Sequence, residues 1–590
     1  MPGIFGAIRL APANSGYGPG QLVALMLEAS KSEPFYTSSR WECPTGNACF
    51  ASSGLASLQH GPVGMPGFLE GITYGKMSFR RSEDVWLSGV RGSFSAALRD
   101  SREESYTVVA DRTASEPVYY TRCLGHLCFA SECGALISLP GVSRDADFGA
   151  LSSLLLSGHL LEDTTLFRSV RRLAGGQALR VRNGFAEKLV YWQFAPGSRE
   201  PVDEQELLDR LGRTLCNAVE SSIGGTPGET AVFLSGGVDS RAILGYARRT
   251  AGLCTVSWGT GDCLPGTDAA IAGKLAAVCG ARHQFLERDL PDYGTLFEEA
   301  AAVTEYQSDV AAFHPQEFRL MHQLQAGGIR RVVRGDETFG WKKPALSPQG
   351  ALARVGLRRF GLVEGFAEFF RPGPAKLLES ASEAQTGALV AKASGVLWNQ
   401  LKDQLYFTQR LQNYLNSCAV FKQRLLEHSN PLLADEVLDL LCFVPEALRS
   451  DKRLLRLLVA REFPELHAVG YAGADGLEDW AKLRSSDSPL RRYLKSQLDD
   501  EESGVWALYD RRRLLAAFHS CRESDGYRFG GLARRGMARL GRDVLKPVLP
   551  QGADHFQAML SLRAPISNTK TLLRFLVVKQ WIDCCSPVLH

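Results

Sequence analysis

The sequence has no apolar run of the roughly twenty residues that a membrane-spanning helix needs. It also has little excess charge, with a net charge of +3 and a pI near 8.1. The first absence argues against a membrane span, and the second against general nucleic-acid binding. The 14 cysteines form no CxxC pair typical of a zinc site, and no signal peptide is recognisable. We therefore expect a cytoplasmic protein with reduced thiols.

The chain is long enough for more than one domain. Its 590 residues, 45% of them hydrophobic, can bury two or more cores. Residues 195–206 are rich in proline, glycine and charge, which is typical of a linker that runs into a helix. The sequence therefore predicts one domain over residues 1–195 and a second over residues 205–590.

The most informative segment is AVFLSGGVDSRAIL, residues 231–244. Residues 232–234 are apolar and predict a buried strand, and Ser240 falls where a helix begins. Between them, Gly236 and Gly237 let backbone N–H groups approach an anion closely. The segment therefore predicts a phosphate cradle between a strand and a helix, although a plain Ser/Gly turn is the alternative interpretation.

Asp239 is the unexpected member of this segment. A carboxylate beside bound phosphates repels them unless a hard cation lies between, so Asp239 implies Mg²⁺. The segment lacks the lysine of GxxxxGK[ST], and its adjacent glycines differ from GxGxxG. SGGxDS resembles instead the pyrophosphate loop of ATP pyrophosphatases. Those enzymes cleave ATP between the α and β phosphates and transfer AMP to a carboxylate or carbonyl.

The segments that follow alternate between strand and helix patterns. Strands are predicted at 254–258 and 329–333, and helices at 268–277 and 315–325. This alternation predicts a doubly wound α/β sheet, whose ligands bind at the carboxyl ends of the strands. Ser235, Gly259 and Gly335 fall at such ends. Asp336 is then a candidate second Mg²⁺ ligand facing Asp239, with a surface acidic pair as the alternative.

The opening MPGIFG is similar to the MCGIFG that begins glutamine-dependent asparagine synthetases. Residues 90–120 and 129–137 resemble strands of their amidotransferase domain. The resemblance implies an α+β amidotransferase-like (Ntn) sandwich followed by an α/β ATP-pyrophosphatase domain with a helical C-terminal part. In that family the residue after the initiator methionine is the cysteine nucleophile. Here it is Pro2, which has neither a thiol nor a primary amine, so we expect no glutaminase activity.

An intact ATP site without a glutaminase indicates another nitrogen source. Two groups of asparagine synthetase relatives have lost the nucleophile, β-lactam synthetases and the macrolactam synthetases of lasso peptides, and both make intramolecular amides. GDETFGW at 335–341 looks like the shortened segment of the second group. The asparagine synthetase version of this segment carries an extra glutamate that this sequence lacks. Glu337, within GDETFGW, is a predicted catalytic residue.

Residues 425–456 resemble the VEARVPFLD and EKHILR segments of asparagine synthetases, with Glu427 and Lys452 as the matched polar positions. Lys452 is a predicted catalytic residue, since a fixed cation stabilises the negative charge that gathers as AMP and pyrophosphate form. Glu427 is predicted to orient this lysine or to take a proton from the amine. The alternatives are a solvated basic helix face and an exposed glutamate.

The predicted cofactors are ATP and Mg²⁺. We expect Asp239 and Asp336 to hold the metal. The residues predicted to bind the nucleotide are Leu234, Ser235, Gly236, Gly237, Asp239, Ser240, Val256, Trp258, Gly259 and Gly335.

The sequence thus predicts an ATP-dependent macrolactam synthetase that adenylates an Asp or Glu side chain of a precursor peptide and joins it to the peptide's own N-terminal amine. The implied partners are that peptide, a protease that removes its leader and a protein that recognises the leader. A small-molecule amide or β-lactam synthetase is the main alternative. A tRNA-modifying pyrophosphatase and a scaffold without catalysis are the others.

Overall fold

The computed structural model describes residues 2–10, 16–58, 67–79, 86–197, 203–223, 226–259, 266–288, 291–336, 344–391, 397–472, 488–521, 560 and 562–589. Its N-terminal part contains two antiparallel sheets, in the orders β2-β3-β1-β8-β7-β9 and β11-β10-β6-β5-β4. Their strands are β1 (Gly3–Arg9), β2 (Thr37–Glu42), β3 (Ala48–Gly54), β4 (Leu69–Phe79), β5 (Val90–Asp100), β6 (Ser105–Ala110), β7 (Tyr119–Cys123), β8 (His126–Ala130), β9 (Arg171–Arg172), β10 (Gln177–Arg182) and β11 (Phe185–Val190).

Strand β1 shows why these sheets form layers. Successive side chains of a strand point to opposite faces, so Phe5 and Ile4 enter different cores. Phe5 packs with Met26 of the helix α1 (Pro19–Ala29), whereas Ile4 packs with Tyr74 of the second sheet. The six-stranded sheet therefore lies between a helix and the five-stranded sheet, as the expectation of an amidotransferase-like sandwich required.

The second part contains a five-stranded parallel sheet in the order β14-β13-β12-β15-β16. These strands are β12 (Thr230–Phe233), β13 (Cys254–Gly259), β14 (Arg282–Glu287), β15 (Arg331–Val333) and β16 (Glu427–Ser429). The remaining helices of the described ranges are α2 (Cys133–Ile137), α3 (Phe148–Ser157), α4 (Glu204–Ile223), α5 (Val238–Ala247), α6 (Asp268–Val278), α7 (Tyr293–Val303), α8 (Val310–Phe313), α9 (Gln316–Ala326), α10 (Pro348–Arg354), α11 (Pro372–Ala391), α12 (Trp398–Leu405), α13 (Asn416–Gln423), α14 (Asp435–Phe443), α15 (Glu446–Arg449), α16 (Arg453–Glu462), α17 (Pro464–Ala468), α18 (Pro489–Asp499), α19 (Arg511–Ser520) and α20 (Asn568–Cys585).

The predicted alternation of strands and helices around the cradle is present, whereas two apolar runs of the C-terminal part do not form single helices. The apolar pattern of residues 352–370 does not form one helix, because α10 ends at Arg354 and Gly356 follows with a left-handed φ of 79°. The pattern of residues 432–448 is divided at Pro445, which cannot continue the hydrogen bonding of α14. No helix in the described ranges is long and apolar enough to span a membrane.

A row of buried amide side chains joins the two parts. It runs along a π-helical stretch, Tyr406–Leu415, and continues into α13. Gln412 Oε1 accepts from the Gly175 amide at 3.0 Å, and Asn416 Nδ2 donates to the Thr113 carbonyl at 2.9 Å. Buried polar groups of this kind cost free energy unless they are hydrogen-bonded, so the row fixes the position of one part relative to the other. Its members are Gln409, Gln412, Asn413, Asn416 and Gln423.

Arg574 of α20 makes a second connection between the two parts and forms a buried ion pair with Asp309. Its Nε donates to Asp309 Oδ2 at 2.9 Å, and another guanidinium nitrogen donates to the carbonyls of Leu155 and Leu156 at 2.9 and 3.0 Å. Burial raises the pKa of Asp309, and Arg574 opposes this effect. The pair therefore links α20 to α3 and to the start of α8.

We expect Arg574→Met to destabilise the chain by about 3–5 kcal/mol, since it leaves Asp309 buried without its cation. Lys495→Met is the control, because Lys495 pairs with Asp499 on an exposed helix face, where a pair contributes about 1 kcal/mol or less. The midpoint of urea unfolding measures both. Equal small shifts for the two variants would contradict a structural role for the Asp309–Arg574 pair.

Candidate functional site

The loop after β12 is held by short hydrogen bonds within the SGGVDS segment. Ser240 Oγ accepts from the Ser235 amide at 3.1 Å, and Ser235 Oγ accepts from the Gly237 amide at 3.2 Å. Gly237 is the N-cap of α5 and provides no side-chain cap. The positive end of this helix and the loop amides therefore converge at the carboxyl edge of the sheet, which is the geometry that favours an anion.

Asp239 lies in the first turn of α5 and contacts Lys452. The Lys452 Nζ donates to Asp239 Oδ2 at 2.6 Å, and both side chains are largely buried. The second oxygen, Oδ1, is buried and has no hydrogen-bond partner in the part of the chain that the structure describes. Burial raises the pKa of Asp239 above its ordinary value, with Lys452 lowering it and the charge of Asp336 raising it. The structure thus brings together three of the five charged residues that the sequence predicted for the site.

Close packing of Gly335 brings β15 to the loop. A Cβ at Gly335 would lie 3.3 Å from the Asp239 carbonyl carbon and 3.0 Å from Ile243, so a larger residue would push the two segments apart. Asp336 follows directly and is ion-paired with Arg334. Parallel strands end at the same edge of the sheet, and the charge of Asp336 acts on the carboxyl of Asp239, so the two side chains lie near each other.

The backbone before α16 directs Lys452 toward this site. Asp451 and Lys452 both have left-handed φ angles, 56° and 58°, which cost free energy for residues other than glycine. Such strain persists where the surrounding structure requires it, and here it accompanies the contact between Lys452 and Asp239.

Arg241 is a residue of the site that the sequence analysis did not single out. Its buried guanidinium donates to the Gly236 carbonyl at 3.2 Å and to the carbonyls of Leu466 and Val469 at 2.7 and 2.6 Å. It also stacks on Tyr471, with the guanidinium carbon 4.1 Å from the ring centroid. Arg241 therefore anchors the segment after α17 against the phosphate loop. Its position directly after SGGVDS was the only signal available in the sequence.

The remaining predicted nucleotide-binding residues lie directly after β12, as Leu234 does, or on β13. Val256 is buried, and its carbonyl accepts from the Leu234 amide at 2.8 Å. Trp258 packs edge-on against Phe233, with ring centroids 4.9 Å apart. The Gly259 carbonyl accepts a backbone amide at 2.6 Å at the end of the strand. They border the loop as expected, and their contact with a nucleotide stays a prediction.

Glu427 does not join Lys452, which corrects the expectation for this residue. It is the first residue of β16 and is paired with Arg331, the first residue of β15, which is in turn paired with Thr230, the first residue of β12. Glu427 therefore lies at the amino edge of the sheet. Its carboxylate accepts from Arg331 at 2.8 Å and pairs with Lys76 of the N-terminal part. Burial raises the pKa of Glu427, but these cations outweigh burial and lower it. A charged, ion-paired carboxylate at this edge joins the two parts and is poorly placed to accept a proton at the phosphate loop.

A cavity of about 920 Å³ lies at this same amino edge. Phe35 and Leu55 of the N-terminal part line one side, and Arg330, His322 and Glu427 line the other. Its position opposite the phosphate loop separates it from the predicted site. The other predicted catalytic acid, Glu337, lies outside the described residues, as does the rest of the GDETFGW segment after Asp336.

The carboxylates near the phosphate loop are suitable ligands for Mg²⁺. Among the described residues no three metal-ligating side chains converge. Mg²⁺ in nucleotide sites is commonly held by one or two carboxylates together with the substrate phosphates, so three are not required. Asp239, whose Oδ1 accepts no hydrogen bond from any described residue, and Asp336 would supply these carboxylates.

An amidotransferase-like pair of sheets joined to a parallel sheet with a phosphate cradle defines a two-domain synthetase architecture. Comparison with known families agrees. The glutamine amidotransferase domain family matches residues 78–192, and the asparagine synthase family matches residues 211–538, which is more than half of the chain. The chain therefore belongs to the asparagine synthase family.

Individual relatives are distant. The chain is 29% identical over 203 residues to asparagine synthetase [glutamine-hydrolyzing] 2 of Bacillus subtilis, covering 32% of this chain and 27% of that protein. It is 29% identical over 206 residues to a putative asparagine synthetase [glutamine-hydrolyzing] of Mycobacterium bovis, covering 33% and 31%. The chain thus matches less than a third of either relative's length. A solved structure of glutamine phosphoribosylpyrophosphate amidotransferase from B. subtilis is 8% identical, covering 56% of this chain and 80% of that one. The TM-score of 0.21 is too low to indicate a shared fold.

We expect Asp239→Asn to abolish the Mg²⁺ dependence of ATP binding, because a neutral amide no longer attracts the cation that offsets the phosphate charge. Calorimetric titration with ATP in Mg²⁺ and in a chelator measures this dependence. The unchanged protein should bind at least about tenfold more tightly with Mg²⁺, a difference of about 1.4 kcal/mol. Asp209→Asn, an exposed residue paired with Arg461 on the surface, is the control. Full Mg²⁺ dependence in Asp239→Asn would contradict its assignment as a ligand.

Proposed function

We propose that this protein is an ATP-dependent amide ligase that forms a macrolactam in a processed precursor peptide, of the kind made by lasso-peptide synthetases. A side-chain carboxylate oxygen attacks the α-phosphorus of ATP, and the bond to the β-phosphate oxygen breaks to release pyrophosphate. The peptide's N-terminal amine then attacks the acyl carbon, AMP leaves and the amine loses a proton.

The observation that supports the first step is the arrangement of Asp239, Lys452 and Asp336 around the phosphate loop. Pyrophosphate and AMP both carry negative charge that grows as the α–β bond breaks. Mg²⁺ bound at the two carboxylates would neutralise part of that charge. Lys452 is held in place before reaction, so little reorganisation is required when the charge appears.

The identity of residue 2 supports a nitrogen source other than glutamine. Pro2 precedes β1 and packs in the N-terminal part, where a Cβ at Gly54 would lie 2.5 Å from its ring. Its side chain carries no thiol that could attack a glutamine amide. An amine on the activated molecule itself then completes the reaction without ammonia.

A processed peptide substrate would require partner proteins and a compartment in which the peptide is made. A protease must expose the amine, and a leader-binding protein would deliver the precursor, in the reducing cytoplasm where the peptide is made. The free thiols of the described cysteines agree with such a compartment. The second candidate is a small-molecule amide or β-lactam synthetase, because the same cradle and lysine serve any carboxylate that carries its own amine.

One experiment separates these functions. The purified protein is incubated with ATP, Mg²⁺ and either a leaderless peptide with a free amine and one acidic side chain or a small amino acid. A peptide product lighter by one water, formed with stoichiometric AMP, is the expected result. ATP–pyrophosphate exchange that responds only to the amino acid would favour the small-molecule ligase. Glutamate released from glutamine in step with AMP would overturn the proposed nitrogen source.

We expect Lys452→Met to slow pyrophosphate exchange by about 100-fold or more, the usual effect of removing one preorganised group that stabilises charge in the transition state. Arg453→Met is the matched control, since this neighbouring arginine is exposed and pairs with Glu204 at 3.5 Å. Its rate should remain near that of the unchanged protein. Similar losses in both variants would show that Lys452 acts only through the fold.

A further inference from the structure

The acceptor of the Gly236 amide is a carboxylate from outside the loop. Gly236 N donates to Asp268 Oδ1 at 2.9 Å. The neighbouring amides of Ser235 and Gly237 donate instead to the hydroxyls of Ser240 and Ser235. Asp268 is thus the charged acceptor among these three, and it comes from α6, the next helix along the chain.

The position of Asp268 at the exposed start of α6 leaves its side chain free to rotate. It is the first residue of α6, where the positive end of the helix favours a carboxylate. Thr267 caps this helix by accepting from the Ala270 amide at 3.3 Å, so the helix start does not depend on Asp268. Asp268 is exposed, and turning it toward solvent would uncover little buried surface.

A Cβ at Gly236 would lie 2.9 Å from Asp268 Oδ1 and 2.8 Å from the Ala472 Cβ. The carboxylate therefore lies directly against the glycine, on the surface that a phosphate must approach to reach the same amide. One N–H makes one strong hydrogen bond, and two anions at that distance repel each other.

We propose that Asp268 is a positioning residue that competes with the phosphates of the nucleotide for the Gly236 amide. The carboxylate satisfies this amide and holds the loop in its binding conformation until a phosphate oxygen displaces it. This inference rests on the proposed function, because it requires polyphosphate at the loop. It assigns to Asp268 an effect opposite to that of Asp239, since Asp268 lowers the affinity for polyphosphate and Asp239 raises it through Mg²⁺.

The test is calorimetric titration of the full chain with inorganic pyrophosphate in a metal chelator. Asp268→Ala should bind pyrophosphate about tenfold more tightly, because one hydrogen bond to a charged group no longer has to be broken. Asp268→Asn should fall between this variant and the unchanged protein, since its amide oxygen still accepts the hydrogen bond but carries no charge. It also provides the test if the alanine variant fails to fold.

Thr267→Val is the control, because it weakens the start of α6 and keeps the carboxylate. It should lower the melting temperature without increasing pyrophosphate affinity. Equal or weaker binding by Asp268→Ala would overturn the inference, and so would a loss of affinity seen only with Mg²⁺, which would make Asp268 a metal ligand. If the unchanged protein bound neither pyrophosphate nor ATP, the proposed function itself would fail.

Discussion

The structure of the site depends on one largely buried carboxylate, Asp239, with one oxygen bound to Lys452 and the other without a hydrogen-bond partner among the described residues. Burying this charge costs free energy, and the surrounding chain is arranged to tolerate it. Gly335 allows β15 to approach within van der Waals contact, and left-handed residues before α16 aim the lysine. A fold optimised only for stability would place an apolar side chain at this position, so the buried pair supports the proposed binding of a cation and phosphates.

The N-terminal sheets are joined to the synthetase part by contacts that do not involve glutamine chemistry. Buried amides of the π-helical stretch and α13 bond to backbone groups of the N-terminal part. Glu427 and Asp435 accept from Lys76 and from the Gly92 amide across the same boundary. Losing the N-terminal part would leave these groups buried or newly exposed without partners. The N-terminal domain therefore serves as a structural half of the protein.

Local signals in the sequence were sufficient for much of the fold and part of the site. The glycine pair, the apolar strand before it and the parallel-sheet rule placed Asp239 and Asp336 together. Glu427 was misplaced because similarity to a motif gives residue identity but not strand register. Arg241 and Asp268 were missed because their partners are distant in sequence: Gly470 lies 229 residues from Arg241, and Gly236 lies 32 residues from Asp268. Such contacts depend on how the helices pack, which no short pattern encodes.

The most direct test of adenylation follows an oxygen atom. The activated carboxylate of the substrate is labelled with ¹⁸O, and the AMP formed in one turnover is analysed by mass spectrometry. Attack of that carboxylate on the α-phosphorus transfers one labelled oxygen to AMP, which is the result that this account predicts. Unlabelled AMP, or the label in inorganic phosphate, would contradict it.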